Sequence, residues 1–229
     1  MSGYGPDLAR VHAAGFTFVA EAAARELLGR LDPGSRVLEL GCGDGTTAAR
    51  LVAAGHTVVG IDSSAAMIEL ARARVPEADL RVGSFVDAEI PGQFDAAIAI
   101  GEVLGYLLDE RAELDGVLRR LRRALPPGGL LVFDLAGPGR AGPPNFAEGD
   151  GWLVTTRARE DGDLLTRAIA TFRRERDGRW RRTDETHRLR LHDPDAVIER
   201  LRRHGFAAHT LPGYAGERLP SGWTVFVAD

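Results

Sequence analysis

The run Val37-Leu38-Glu39-Leu40-Gly41-Cys42-Gly43-Asp44-Gly45 constrains this chain more than any other. An apolar strand leads into three closely spaced glycines, and helical spacing resumes at Thr46. Such a turn lets a ligand approach bare backbone at the start of a helix, where a larger side chain would obstruct it. Glycine turns also serve plain connections, so the run needs support. Asp62 supplies it by ending the next apolar strand about twenty residues after Gly41, where a carboxylate takes both hydroxyls of a ribose. Loop and acid together specify a nucleoside cofactor. A dinucleotide fingerprint would place its third small residue at position 46, which is Thr46; the glycines here stand at 41, 43 and 45.

Around this run the pattern alternates regularly. Strands are expected at Arg36 to Leu40, Thr57 to Ile61, Leu80 to Gly83, Phe94 to Ile100 and Gly129 to Leu135. Helices are expected at Thr46 to Ala54, Ala65 to Val75 and about Glu110 to Leu125. The strands are short, β-branched and apolar nearly throughout, as parallel strands covered on both faces are. An open α/β sheet follows. Before it, Asp7 to Leu31 carries apolar positions at helical spacing, broken by Gly15 and closed by Asp32-Pro33-Gly34.

After Asp134 the pattern changes. Ala136 to Asp150 is rich in Gly and Pro and reads as a loop, and strand-like runs follow at Trp152 to Arg159, Leu164 to Arg174 and Arg179 to Leu191. Asp161-Gly162 and Asp177-Gly178 lie between them as hairpin turns, which predicts an antiparallel insertion. Asp193-Pro194 opens a helix that ends near His204-Gly205, and strands at Phe206 to Leu211 and Trp223 to Ala228 finish the chain.

The glycine spacing resembles the first motif of class I S-adenosylmethionine-dependent methyltransferases, and later segments match in order. That resemblance implies an α/β, Rossmann-like fold with a seven-stranded, mostly parallel sheet, an antiparallel last strand, an N-terminal helical cap and an antiparallel β insertion. It implies S-adenosyl-L-methionine as cofactor and S-adenosyl-L-homocysteine as product. In that reading the loop Gly41, Cys42, Gly43, Asp44 and Gly45 faces the methionine part, Glu39 orients the loop, and Asp62 holds the ribose. Ser63 and Met67 match the element against adenine, although Met67 suits simple helix packing equally. Gly83, Ser84 and Phe85 match the adenine-edge motif in position, with no Asp where many relatives have one. Ile100 and Gly101 end the fourth strand, beside the transferable methyl. The implied organisation is one domain: a cap at 1–31, a cofactor core at 32–148, an insertion over the site at 149–192 and completion of the sheet at 193–229.

Acceptor chemistry is less local. Glu102 follows Ile100-Gly101 at the carboxyl end of a buried strand, where open α/β sheets bind ligands, and is a candidate to take a proton or hold an amine. Its competing roles are a cofactor contact or a cap on the next turn. Tyr106 follows on the same segment. Strand alternation puts Glu185, His187, Leu189 and Leu191 on one face, so His187 is a candidate base near neutral pH and Glu185 a substrate contact. Tyr4 and His12 belong to a segment that closes over the cofactor in similar enzymes, and Trp152 and Tyr214 are candidate aromatic walls whose competing role is core packing. Alignment alone lowers a barrier by about 7–11 kcal/mol in well-oriented systems, so a base is optional.

Composition narrows the classes. The net charge of −4 gives no general attraction to phosphate backbones or anionic membranes, which disfavours nucleic acid and membrane partners. All 29 basic residues are Arg, so lysine Schiff-base chemistry is excluded. Cys42 is the only cysteine, which leaves no intrachain disulfide or multi-cysteine metal site and fits a cytoplasmic setting. No metal is expected. The Arg-rich stretches 119–123 and 173–182 read as solvated faces. The expectation is a small-molecule methyltransferase, monomer or homodimer, with N, O and C acceptors open and a place in specialised metabolism. The alternatives are an NAD-dependent oxidoreductase and a non-catalytic S-adenosylmethionine-binding domain.

Overall fold

A computed structural model describes residues 4–87, 90, 92–107 and 114–229. Two helices, α1 (Pro6–Gly15) and α2 (Phe18–Leu28), precede the core. The core runs β1 (Arg36–Leu40), α3 (Thr46–Ala53), β2 (Thr57–Asp62), α4 (Ala65–Arg74), β3 (Asp79–Val82) and β4 (Ala96–Ala99). A 3-10 turn at Val103–Tyr106, α5 (Leu114–Ala124) and β5 (Leu130–Ala136) follow. The insertion holds β6 (Asn145–Gly149), β7 (Trp152–Asp161), β8 (Leu164–Arg174) and β9 (Trp180–Arg190). Then come α6 (Pro194–Arg203), β10 (Ala208–Leu211), β11 (Gly213–Tyr214), β12 (Glu217–Arg218) and β13 (Trp223–Ala228).

Seven strands form the main sheet in the order β10-β13-β5-β4-β1-β2-β3. β13 runs antiparallel to both neighbours, and the β1, β2, β3, β4 and β5 pairings are parallel, as expected. Successive residues alternate between two buried faces. Leu38 and Leu40 pack with Val117, Leu118 and Leu121 of α5, whereas Val37 packs with residues of α2, α3 and α4. Each large side chain buried this way is worth about 1.5–3 kcal/mol, so the double cover stabilises the sheet from both sides. α5 shows why: Leu114, Val117, Leu118 and Leu121 recur on one helical face and are buried.

Two departures have local causes. β6 lies within the stretch expected to be a loop: Gly151, at φ 72°, turns the chain so that Asn145–Gly149 pairs with β7 despite the neighbouring prolines. The hairpin of β11 and β12 was not expected either, and it turns on Ala215 and Gly216, both at positive φ. The expected helix start at 110–113 lies outside the described residues. The first Arg-rich stretch is not merely solvated, since Arg120 Nη1 donates to the Phe85 carbonyl at 2.8 Å and the Arg122 guanidinium lies over the Phe206 ring. In the second, Arg173 pairs with the buried Asp7 of α1.

The insertion is tied down at both ends. Leu165, Leu189 and Leu191 pack on Ala136 at the end of β5, and Val154 packs with Leu8 and Val11 of α1. These contacts set a four-stranded sheet over the carboxyl ends of the core strands.

Candidate active site

The strand order reverses at β1, whose neighbours are β2 and β4, and the crevice beyond their carboxyl ends is where open sheets bind ligands. Gly41, at φ 66°, turns the chain out of β1 so tightly that a Cβ there would meet the Val103 methyls at 2.5 Å. The Gly43 N–H donates to Asp62 Oδ2 at 2.9 Å and the Ser64 N–H donates to Oδ1 at 2.8 Å. Burial raises the Asp62 pKa against these two donors. The carboxylate thus braces the glycine loop and the start of α4 together, with lone pairs remaining on each oxygen.

Glu39 lies behind the loop. Burial pushes its carboxyl up to about 8, with a hydrogen bond from Thr47 working against the rise and the charges of Asp44 and Asp62 adding to it. Its Oε2 is buried without a hydrogen-bond partner. Asp44 accepts from the Thr46 N–H and hydroxyl and pairs with Arg74 of α4 at 2.8 Å. Ser64 caps α4 by accepting from the Met67 N–H, and Met67 is buried.

Other expected cofactor residues are placed differently from one another. Ser63 and Gly101 are exposed, and Ile100 is buried. Cys42 is buried, its thiol pushed up by burial, and its Sγ lies where a side chain on Gly60 would stand. The Gly83 N–H donates to the Asp62 carbonyl, and Ser84 Oγ accepts from the Val86 N–H at 3.2 Å. Phe85 packs in the core beneath α5 rather than standing free at the strand end.

A second group of side chains converges beyond Gly101. The Tyr106 hydroxyl lies 2.8 Å from His187 Nδ1, and His187 Nε2 lies 3.2 Å from Glu185 Oε2. The Tyr4 ring stands edge-on to His187 on one side and to His12 on the other. Burial pushes the Tyr4 phenol up to about 12 and raises Tyr106 well above its ordinary value, so both are neutral near pH 7. The tautomer with its proton on Nε2 satisfies both ring contacts: Nε2–H donates to Glu185 and Nδ1 accepts from Tyr106. Glu185 also accepts from the Gly5 N–H at 3.2 Å, which joins the N-terminal segment to the insertion.

Three expected contacts are corrected. Glu102, at φ 62°, is not a free base: Arg140 Nε holds one carboxylate oxygen and Arg167 Nη1 the other, each at 2.6 Å. Tyr214 is no wall of the site; it is fully buried and its hydroxyl donates to Asp134 Oδ2 at 2.5 Å. Trp152 packs with Phe16 under α1, close against Gly15, so it anchors the cap to the insertion. His12 stacks with Phe16 and meets Tyr4 edge-on, and burial lowers its pKa while the Asp44 charge opposes that, which places it toward the glycine loop.

Asp134, Arg140 and Arg167 were not singled out from sequence. Asp134 is fully buried and accepts from the Gly101 and Glu102 N–H groups, the Tyr214 hydroxyl and Trp223 Nε1. Burial pushes its carboxyl up to about 6 against these four donors. It thereby holds Glu102 in a left-handed conformation that non-glycine residues rarely adopt. One signal was available: Asp134 is the lone acid in the apolar run Leu130–Ala136. Arg167 had none, because only the β8–β9 register sets it opposite His187.

The residues present fit S-adenosylmethionine. Glu39 offers a buried oxygen without a partner, nothing lies within 4 Å of where a Cβ on Gly43 or Gly101 would stand, and Asp62 keeps acceptor capacity. Among the described residues no group of three or more His, Cys, Asp or Glu is arranged to hold a metal, and no helix is long and apolar enough to cross a membrane.

Residues 37–129 match the sequence profile of a family described as "Methyltransferase domain". The dTDP-3-amino-3,4,6-trideoxy-alpha-D-glucopyranose N,N-dimethyltransferase of Streptomyces venezuelae is 29% identical over 161 residues, which are 69% of this chain and 65% of that protein. Among solved structures, DesVI of Streptomyces venezuelae superposes with a TM-score of 0.80 at 23% identity, covering 98% of this chain and 99% of that one. The sugar N-methyltransferase KedS8 of Streptoalloteichus superposes with a TM-score of 0.78 at 24% identity, covering 99% and 94%.

Proposed function

We propose, taking as premise that this chain is a class I S-adenosylmethionine-dependent methyltransferase, that it methylates the nitrogen of a small-molecule amine and that Tyr106, His187 and Glu185 relay away the nitrogen's proton. The Tyr106–His187–Glu185 chain, with His187 buried at its centre and contacts of 2.8 and 3.2 Å, carries this reading.

S-adenosylmethionine, when bound, supplies a methyl carbon activated as a sulfonium. The work assigned to the chain is alignment, exclusion of water and removal of a proton. A nitrogen that gains a methyl group must shed a proton before it is a neutral amine again. The Tyr106 oxygen takes that proton as its own passes to His187 Nδ1. The resulting imidazolium donates its Nε2–H to Glu185 Oε2. Tyr4 stands edge-on against His187 from the N-terminal side. On the other side, Asp62, Glu39 and the glycine loop would hold the cofactor.

Smallness of the acceptor is supported by the walls. Tyr4, the Tyr106 turn and the inward face of β8 and β9 surround the relay with buried or half-buried side chains. The amine is supported by relatives named as N,N-dimethyltransferases of amino sugars in Streptomyces and Saccharopolyspora. A panel of matched small amines and alcohols, followed by release of S-adenosylhomocysteine, tests the reading. Turnover of amines is expected, and turnover confined to alcohols or carbon acids would overturn it.

A further inference from the structure

We infer that the acceptor carries an anionic oxygen group, a carboxylate in the simplest form, near its amine, and that Arg167 binds it. This rests on the amine reading for the place of the acceptor. Arg167 on β8 pairs in register with His187 on β9, so its side chain rises from the inward face of the insertion beside the proton relay. One edge of its guanidinium is engaged, Nη1 donating to Glu102 Oε2 at 2.6 Å. The other edge is free: Nη2 is buried and has no hydrogen-bond partner.

A buried N–H of a charged group without an acceptor is costly, and few native groups are left so. The guanidinium cannot swing away to find one. Glu102 fixes Arg167 and is itself fixed by Arg140, whose guanidinium lies over the Trp223 ring at 4.5 Å, and by Asp134 on its backbone N–H.

Charge points the same way. One carboxylate, Glu102, is shared by two guanidinium groups, Arg140 and Arg167, and the neighbouring Asp134 bonds the Glu102 backbone N–H rather than either arginine. Tyr4 and Tyr106 beside them are neutral, and Glu185 faces His187 on the far side of the relay. An ammonium alone brought beside the relay meets repulsion from Arg167. An acceptor that brings its own anionic oxygen neutralises that charge and fills the vacant edge of the fork, the arrangement in which guanidinium binds carboxylate best.

The cofactor's own carboxylate has the same chemistry, and the experiment separates the two sources. The full chain, saturated with S-adenosylhomocysteine, is titrated calorimetrically with three matched pairs: glycine and ethanolamine, 3-aminopropanoate and 3-aminopropanol, 4-aminobutanoate and 4-aminobutanol. For at least one pair the carboxylate is expected to bind about tenfold or more tighter. Arg167→Gln should abolish that preference, Arg167→Lys should restore part of it, and Arg174→Gln on the outer surface should leave it unchanged. Affinity of Arg167→Gln for S-adenosylhomocysteine should equal that of the parent, which also shows that the variant folds. The inference is overturned if no pair prefers the carboxylate, if the preference survives Arg167→Gln, or if that variant loses S-adenosylhomocysteine, since Arg167 would then serve the cofactor. Failure of the amine reading shows separately, as no S-adenosylhomocysteine release with any amine.

Discussion

The backbone carbonyl of Tyr4 accepts a hydrogen bond from Ser64 Oγ at 2.6 Å. Ser64 also caps α4 and donates its N–H to Asp62, while the Tyr4 side chain reaches His187. One residue of the N-terminal segment thus touches both the side expected to hold the ribose and the side expected to hold the acceptor. Ser64→Ala is expected to weaken both cofactor affinity and turnover, because it removes the tie and the cap at once. A loss of about 0.5–2 kcal/mol in stability accompanies the cap, read by denaturant unfolding. Unchanged affinity and turnover would show that closure does not depend on this bond.

Asp62→Ala should lower cofactor affinity about 10–100-fold, since hydrogen bonds to a charged group are worth about 1.5–3 kcal/mol. Part of the loss is indirect, because Gly43 and Ser64 lose their acceptor as well. Calorimetric titration with S-adenosylhomocysteine measures it, and an affinity equal to the parent's would refute the ribose assignment.

His187→Ala and Tyr106→Phe should spare cofactor binding and lower turnover by about 10²–10⁴-fold, the range typical of general acid–base groups. Single-turnover rates in the saturated enzyme check this. If both variants turn over at the parental rate, deprotonation proceeds without the relay.

Glu39 gives a pH effect with a definite sign. Its folded value of about 8 exceeds the ordinary 4.5, so between these values the folded chain holds a proton that the unfolded chain has released. Stability from this group is therefore greatest below pH 4.5 and declines as pH rises toward 8. A cation placed beside Glu39 favours its ionised form, so cofactor binding at pH 7 should release protons. Calorimetry in buffers of different ionisation enthalpy reads that release, and Glu39→Gln should abolish it.

Tyr214→Phe should destabilise the fold by about 1.5–3 kcal/mol through loss of a buried bond to a carboxylate, with cofactor affinity unchanged. Asp134→Ala should cost more, because the Gly101 and Glu102 N–H groups and Trp223 Nε1 also lose their acceptor. Denaturant midpoints compare the two. Loss of acceptor turnover without loss of stability in Tyr214→Phe would return Tyr214 to the site.

The glycine loop and the acid that braces it were legible because their signals are local. Gly41, Gly43 and Gly45 declare a backbone conformation, Asp62 stands at a set distance from them, and unbroken apolar strands declare a sheet covered on both faces. Phe85 shows the limit of motif position: it sits where the adenine-edge motif predicts a ligand contact, yet core packing beneath α5 claims its ring. Tyr214 was misplaced for a related reason. An aromatic residue in a Gly-rich segment carries no periodicity that says which way it faces.

From its sequence alone this chain determined an open α/β sheet, the glycine loop, the acid after the second strand and the face of β9 that bears Glu185 and His187, since each depends on neighbours within a few residues or on strand alternation. Tertiary structure alone decided the proposed acceptor site. Tyr4, the Glu102–Tyr106 turn, Arg140, Arg167 and His187 come from separate segments, and their meeting depends on β8–β9 register, on α1 packing against the insertion and on Asp134 holding the Glu102 backbone. Those are long-range contacts, and no local pattern of residues encodes them. For Glu102 the difference was decisive: beside Gly101 in the chain it reads as a free carboxylate, and only in the fold do two arginines close on it.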